Sequence, residues 1–177
     1  MEETHKKSLS GKCISLSGDD DNLYAALMTN ELVVLSASDL NQKSIHKLAF
    51  DVTCMCFSKA TQQVWCGDKK GVVHVLKVED MSEVYKFDKH QKAVTSIAVS
   101  EDGSKVASGD GHRYFHIHDA ATHATIGSHG YHKGTIYSLS FSEDASKLCI
   151  VSQDLSFSVF DIASGKSKVV KKPHDEK

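Results

Sequence analysis

Short runs in which hydrophobic and polar residues alternate fill most of this chain, and segments rich in Gly, Asp, Asn and Ser separate them. The runs Val94–Ser100 and Tyr114–His118 are typical, and the polar segment Glu101–Ser104 follows the first of them. A period of two residues is typical of strands, whereas an amphipathic helix repeats every 3.6 residues. No segment of any length shows the helical period, so the pattern predicts an all-β fold.

One of these strand-like segments recurs at a fixed interval along the chain. Its copies lie 42 residues apart, at Val52–Ser58, Val94–Ser100 and Ile136–Ser142. Two further series keep the same interval: His90, His132 and His174, and Lys77, Asp119 and Asp161. A more diverged copy precedes them, over residues 12–35. Markers that agree in one register indicate an internal repeat.

Each copy predicts four strands. In the third copy they are roughly Val94–Ser100, Lys105–Ser108, Tyr114–His118 and Ala124–Ser128. Four strands in about 40–45 residues are typical of a β-propeller blade. The sequence therefore predicts one propeller domain after a polar N-terminal extension at residues 1–9. Its four blades are predicted at residues 10–50, 51–89, 90–131 and 132–177, and the last segment includes the start of a next repeat.

The repeats resemble WD repeats, in which a His precedes the first strand, "SGSxD" follows the second and Trp-Asp ends the third. The matching residues are His90, His132 and His174, then Ser108, Asp110, Ser152 and Asp154, and finally His118, Asp119, Phe160 and Asp161. No blade keeps the full set. His112 and Lys70 stand where the turn Asp is expected, and Leu76-Lys77 replaces Trp-Asp in blade two. The resemblance implies that the matching residues form a structural hydrogen-bond network within each blade.

The chain is also similar to the second propeller of the actin-interacting protein family, the WD-repeat cofactors of cofilin. A blade with Gly109-Asp110 and no later turn Asp precedes a blade that keeps Asp154, and the segment His129–Lys133 joins them. Members of that family carry two seven-bladed propellers. The resemblance implies a non-catalytic interaction module that promotes cofilin-dependent disassembly of actin filaments. The alternative is a WD-repeat scaffold in an unrelated multiprotein complex.

Four blades are fewer than the six to eight with which WD propellers usually close. The expected structure is therefore a partial propeller, and a fragment of a longer protein is favoured. Two copies that form one eight-bladed ring, or a closed four-bladed monomer, are the alternatives. The open ends are expected to expose apolar faces and to promote self-association. The residues expected on these faces are Val33 and Leu35 at one end, and Phe157 and Val159 at the other.

Composition narrows the range of partners. The formal net charge is −2, from 21 basic and 23 acidic residues, which favours neither nucleic acid nor an anionic membrane. No stretch approaches the roughly 20 apolar residues of a membrane helix. The five cysteines form no CxxC pair and no disulfide framework, which is typical of a reducing compartment. We therefore expect a cytoplasmic protein with protein partners, and the candidate partners are actin and cofilin at the actin cytoskeleton.

The residues that suggest chemistry have simpler explanations. Histidines crowd residues 112–132, but His118 and His132 occupy positions that the WD resemblance makes structural. Zinc requires three or four converging ligands, so we expect no metal and no cofactor. No G-x-S-x-G nucleophile elbow accompanies the Ser, His and Asp residues, and we expect no enzyme activity.

Exposed turns are where a propeller usually binds its partners. Lys69 and Lys70 of blade two align with Gly111 and His112 of blade three, and Arg113 follows. We expect Lys69, Lys70, His112 and Arg113 to form a small basic arc on one face. Since actin is acidic, this arc is a candidate contact with a partner. Ordinary solvated turn charges are the alternative explanation.

Overall fold

The computed structural model describes residues 8–171, and within them the chain forms four sheets of four antiparallel strands. Blades one and two contain β1 (Cys13–Gly18), β2 (Asn22–Leu27), β3 (Glu31–Ser36), β4 (Gln42–Lys47), β5 (Val52–Ser58), β6 (Gln63–Asp68), β7 (Val73–Lys77) and β8 (Glu83–Phe87). Blades three and four contain β9 (Val94–Val99), β10 (Lys105–Asp110), β11 (Phe115–Asp119), β12 (Thr125–His129), β13 (Ile136–Phe141), β14 (Lys147–Ser152), β15 (Ser156–Asp161) and β16 (Lys166–Lys171). The predicted all-β fold with four four-stranded blades is confirmed.

Each sheet is a meander in which strands adjacent in sequence pair with one another. The polar turns that separate the strands explain this order. Between β9 and β10, the Asp102 carboxylate accepts hydrogen bonds from the Ser100 hydroxyl and the Ser104 N–H, and Gly103 adopts a φ of +69°. These hydrogen bonds lower the pKa of Asp102 to about 2. The described residues contain no helix long and apolar enough to cross a membrane.

Neighbouring blades contact each other through their first strands, and an apolar core fills each junction. Glycines in the second strands allow the close approach. A Cβ built on Gly67 would lie 2.6 Å from Val94 Cγ1, and one on Gly109 would lie 2.7 Å from Ile136 Cγ2. The branched residues that begin the first strands of blades three and four therefore pack directly against the glycine of the preceding blade. The 42-residue interval in the sequence reflects this repeated contact.

The two ends of the arc differ, and this corrects one expectation. Val33 and Leu35, expected to be exposed on blade one, are buried because Leu9 and Leu23 pack against them. On blade four, Phe157 is 49 % exposed, as expected. Among the described residues, no extensive strand contact joins blade one to blade four. His174 and residues 1–7, assigned above to a next repeat and to a polar extension, lie outside the described residues.

Candidate interaction face

The candidate partner-binding residues all lie on one face of the blades. Because strands in a meander alternate in direction, the turns between second and third strands emerge on the same side as the links between blades. We call this side the link face. It comprises the turns 28–30, 69–72, 111–114 and 153–155, and the links 48–51, 88–93 and 130–135. Lys69, Lys70, His112 and Arg113 all belong to it.

A buried aspartate orders the link face of blade three. One carboxylate oxygen of Asp110 accepts the N–H groups of His112 and Tyr114, both at 2.9 Å. The other accepts the Gln91 N–H at 3.3 Å and lies 3.3 Å from His90 Nδ1. Burial opposes ionisation of Asp110, but the hydrogen bonds with His90 and the backbone amides keep its pKa below the usual value. A charged carboxylate therefore fixes both the turn and the preceding link.

The network continues from this carboxylate into the sheet of blade three. His90 Nε2 lies 2.8 Å from Ser108 Oγ, which lies 3.3 Å from His118 Nε2. The structure thus brings together four predicted residues, with His118 in the position of the usual Trp. Asp119 is not among them. It ends β11 on the opposite side of the blade, where its carboxylate accepts the N–H groups of the following turn.

Blade four builds its network from different hydroxyl groups. His132 Nδ1 lies 3.3 Å from Asp154 Oδ2, and His132 Nε2 lies 2.7 Å from Ser158 Oγ. The structure places the predicted Ser152 elsewhere, since its hydroxyl donates to the Gly134 carbonyl. The 42-residue interval explains this: Ser152 corresponds to Asp110, so β14 has no serine at the position of Ser108, and β15 supplies the hydroxyl.

The other predicted residues of blade four take separate roles. Burial opposes ionisation of Asp154, but hydrogen bonds from Ser156 and from the Lys133 N–H keep its pKa well below the usual value. Phe160, in the Trp position, is buried against Phe115 and forms no part of the network. Asp161 accepts the Ser164 N–H in the turn after β15, on the opposite side of the blade, as Asp119 does in blade three.

Blade two contains an equivalent pair that the sequence reasoning missed. Asp68 Oδ1 accepts the N–H groups of Lys70 and Val72, at 2.9 and 2.7 Å, and Asp68 Oδ2 lies 3.3 Å from His74 Nε2. Asp68 precedes Asp110 by 42 residues, so the interval itself could have revealed it. The histidine comes from β7 here and not from the link. Three consecutive blades therefore each use an aspartate to order a link-face turn, buried at Asp68 and Asp110 and partly exposed at Asp154.

The turns that these aspartates order present exposed cations. Lys69 Nζ lies 3.4 Å from Asp51 Oδ2, so its charge is partly balanced. Lys70 and Arg113 form no ion pair within the described part of the chain, and the Arg113 guanidinium lies 5.5 Å from the centre of the Tyr114 ring. His112 Nδ1 lies 2.8 Å from Gln91 Oε1. Such a surface suits the binding of an anionic partner.

Two of the crowded histidines, His116 and His118, belong to the core between blades two and three. His116 and His118 both pack edge-on against Phe87, with ring centres 4.9 and 4.5 Å away. Burial lowers the pKa of His116 to about 3 and that of His118 to about 4. Among residues 8–171, no group of three or more His, Cys, Asp or Glu side chains is arranged to hold a metal ion.

Comparisons with known proteins agree with this architecture. Residues 81–119 match the family model described as "WD domain, G-beta repeat". The structure titled "Structure of U3-55K" superposes with a TM-score of 0.82 at 15 % identity, covering 93 % of this chain and 53 % of that chain. The structure titled "Crystal Structure of Mitotic Checkpoint Complex" superposes with a TM-score of 0.83 at 16 % identity, covering 95 % and 53 %. The chain thus spans about half the length of the solved structures it matches.

These findings show a WD40 repeat and a WD-type propeller fold, and identities this low show the fold alone. A search of curated proteins found no match. Nothing in the comparisons points to the actin-interacting protein family specifically.

Proposed function

We propose that this chain is a non-catalytic protein-interaction module that binds its partners through the link face. The observation that carries this proposal is the repeated use of Asp68, Asp110 and Asp154 to order the link-face turns of three consecutive blades. Rigid exposed turns bind with a smaller loss of conformational entropy than flexible ones. The arrangement of these turns thus supports a preformed binding surface.

The residues that could support catalysis are engaged in buried structural networks. Ser108 is fully buried between two histidine rings, and the His90 and His132 rings are also inaccessible to a substrate. A nucleophile needs both a base and an approach for the substrate. The Ser108 hydroxyl is engaged by His90 Nε2 and His118 Nε2, as buried polar groups require. Their burial favours a structural role over an enzymatic one.

The proposal is tested by loosening one link-face turn without touching its exposed side chains. The substitution Asp110→Asn removes the charge that fixes residues 111–114, and Asp119→Asn is the matched control on the opposite side. We expect Asp110→Asn to lose the partners that the wild-type chain captures from cytosolic extract, and Asp119→Asn to retain them. If both variants retain the same partners with equal affinity, the link face is not the binding surface.

The partners proposed on the resemblance are actin and cofilin, in the cytoplasm at the actin cytoskeleton. Two features of the WD pattern support this proposal: blade three has Gly109-Asp110 without a later turn Asp, and blade four keeps Asp154. The basic link face, which would attract the acidic actin filament, also supports it. Co-sedimentation with F-actin and cofilin tests it. We expect the chain to pellet with cofilin-decorated filaments and to increase the amount of actin left in the supernatant. Complete recovery of the chain in the supernatant would contradict it.

A scaffold for another multiprotein complex is the second candidate. It is favoured by the structural neighbours, whose titles name U3-55K, RRP9 and the mitotic checkpoint complex. Affinity purification distinguishes the two candidates. Recovery of a defined assembly that contains neither actin nor cofilin would favour the scaffold.

A further inference from the structure

We infer that Lys70, Lys92 and Arg113 together form a docking site for an acidic segment of a partner protein. This inference rests on the proposed function and specifies the chemistry of the partner. We call the three residues the cation cluster. Lys92 was not among the residues singled out by the sequence, and it joins two turns that the sequence places 42 residues apart.

The backbone geometry brings the cluster together at the junction of blades two and three. Gly71, which follows Lys70, has a φ of +89°, and a Cβ built on it would lie 2.8 Å from the Lys92 carbonyl oxygen. A Cβ built on Gly111 would lie 3.4 Å from Lys92 Cβ. Both turns therefore lie against Lys92. Glycine is required at position 71, where φ is positive and a Cβ would crowd the link, whereas a Cβ on Gly111 would make an ordinary contact.

The cations of the cluster form no close ion pairs within the described residues, although Asp51 also attracts Lys70 electrostatically. The neighbouring Lys69 is paired with Asp51, whereas Lys70, Lys92 and Arg113 form no ion pair in residues 8–171. All three side chains are exposed. Asp110, the nearest carboxylate that orders the turn, is fully buried and already accepts hydrogen bonds from His112, Tyr114 and Gln91. The cluster therefore offers three exposed cations to an external anion.

The opposite face of the blades is rich in carboxylates, although Lys59, Lys77 and Lys147 also lie on it. Its turns carry exposed carboxylates, including Asp20, Asp80, Glu101, Asp102, Glu143 and Asp144. The small net charge of −2 hides this separation. An acidic partner is attracted to the link face and repelled by the opposite one, because complementary charge orients association. The separation of charge between the two faces thus directs an acidic segment to the link face.

An acidic polypeptide fits this site better than a nucleic acid. Single-stranded nucleic acid is held by aromatic side chains on which bases stack, next to a basic groove. The aromatic ring next to the cluster, that of Tyr114, is half-buried and lies beneath the Arg113 guanidinium. The three cations lie at one junction between two blades and not along a row of blades. Carboxylates on adjacent residues match that arrangement.

The test measures fluorescence anisotropy of a labelled poly-glutamate peptide titrated with the full chain at low salt. The triple variant Lys70→Gln, Lys92→Gln, Arg113→Gln is compared with a matched triple variant of the opposite face, Lys59→Gln, Lys77→Gln, Lys147→Gln. We expect the first to weaken binding about tenfold, since exposed ion pairs each contribute modestly, and the second to change it less than about twofold. Unchanged circular dichroism and melting temperature show that both variants fold.

Three results would overturn the inference. In the first, the wild-type chain shows no measurable binding to poly-glutamate. In the second, the two triple variants bind poly-glutamate with equal affinity, and in the third the chain binds a labelled poly-uridine RNA more tightly than poly-glutamate. If Asp110→Asn loses captured partners while the cation-cluster variant keeps them, the interaction function stands and the acidic partner does not. If neither variant loses partners, both proposals fail.

Discussion

The buried histidines between blades two and three make the stability of this protein depend on pH. His116 and His118 have pKa values near 3 and 4 because burial disfavours their charged forms. In the unfolded chain a histidine titrates near 6.5. Below that pH the unfolded state binds protons that the folded state excludes, so stability is fully present above pH 6.5 and falls as the pH drops toward the folded pKa values.

The magnitude follows from linkage. Lowering the pH from 7 to 5 is expected to reduce the free energy of unfolding by about 2 kcal/mol for each histidine, or about 4 kcal/mol for both. The groups around His116 do not offset this. Burial, His90 and His118 all disfavour its protonation more strongly than Asp110 favours it. Carboxylates such as Asp102, with a pKa of about 2, lose their contribution only below about pH 4, outside this window.

Urea denaturation at pH 7 and pH 5 measures this effect. In His116→Leu, which removes one titrating group and leaves a side chain of similar size, the loss between the two pH values is expected to be smaller by about 2 kcal/mol. His112→Gln, at an exposed position, is the control and is expected to keep the wild-type difference. An identical pH difference in wild type and His116→Leu would refute the reasoning.

Three further changes test other parts of the structure. Asp110→Asn is expected to cost about 2 kcal/mol of unfolding free energy, because its amide would face donors. Asp119→Asn is expected to lower the melting temperature less, and thermal melts would show the contrast. Gly109→Ala places a methyl group into the next blade and is expected to destabilise by about 1–3 kcal/mol in urea titration, whereas Gly127→Ala, with its nearest neighbour 3.7 Å away, is expected to be nearly neutral. Phe157→Ser is expected to reduce self-association in sedimentation velocity, and a wild-type chain that stays monomeric at all concentrations would contradict this.

The 42-residue interval predicted the blades because it reflects a contact that each blade repeats. Val94 packs against Gly67 as Ile136 packs against Gly109, so the 42-residue period reflects the packing between neighbouring sheets. The alternation of hydrophobic and polar residues within each copy predicted the strands because it too reflects packing between sheets. Blade one diverged in sequence, and the burial of Val33 was missed because the segment that covers it precedes the first recognisable strand.

The networks were harder to predict because hydrogen-bonding groups can come from different strands. His132 finds its hydroxyl on β15 at Ser158, while His90 finds one on β10 at Ser108. Alignment of the WD motif by residue type selected Ser152 as the counterpart of Ser108. Strict use of the 42-residue interval places Ser152 at the position equivalent to Asp110. The position of Lys92 between two turns depends on how adjacent blades pack, and no local pattern carries that information.

Hydrogen–deuterium exchange of the chain, alone and bound to a captured partner, tests the central proposal most directly. If partners bind the link face, backbone amides in residues 69–72, 88–93 and 111–114 will exchange more slowly in the complex. Amides in the turns 100–104 and 120–124 of the opposite face will exchange at unchanged rates. Protection confined to the opposite face, or to the exposed strands of blade four, would contradict the proposal that this protein binds through its basic, aspartate-ordered turns.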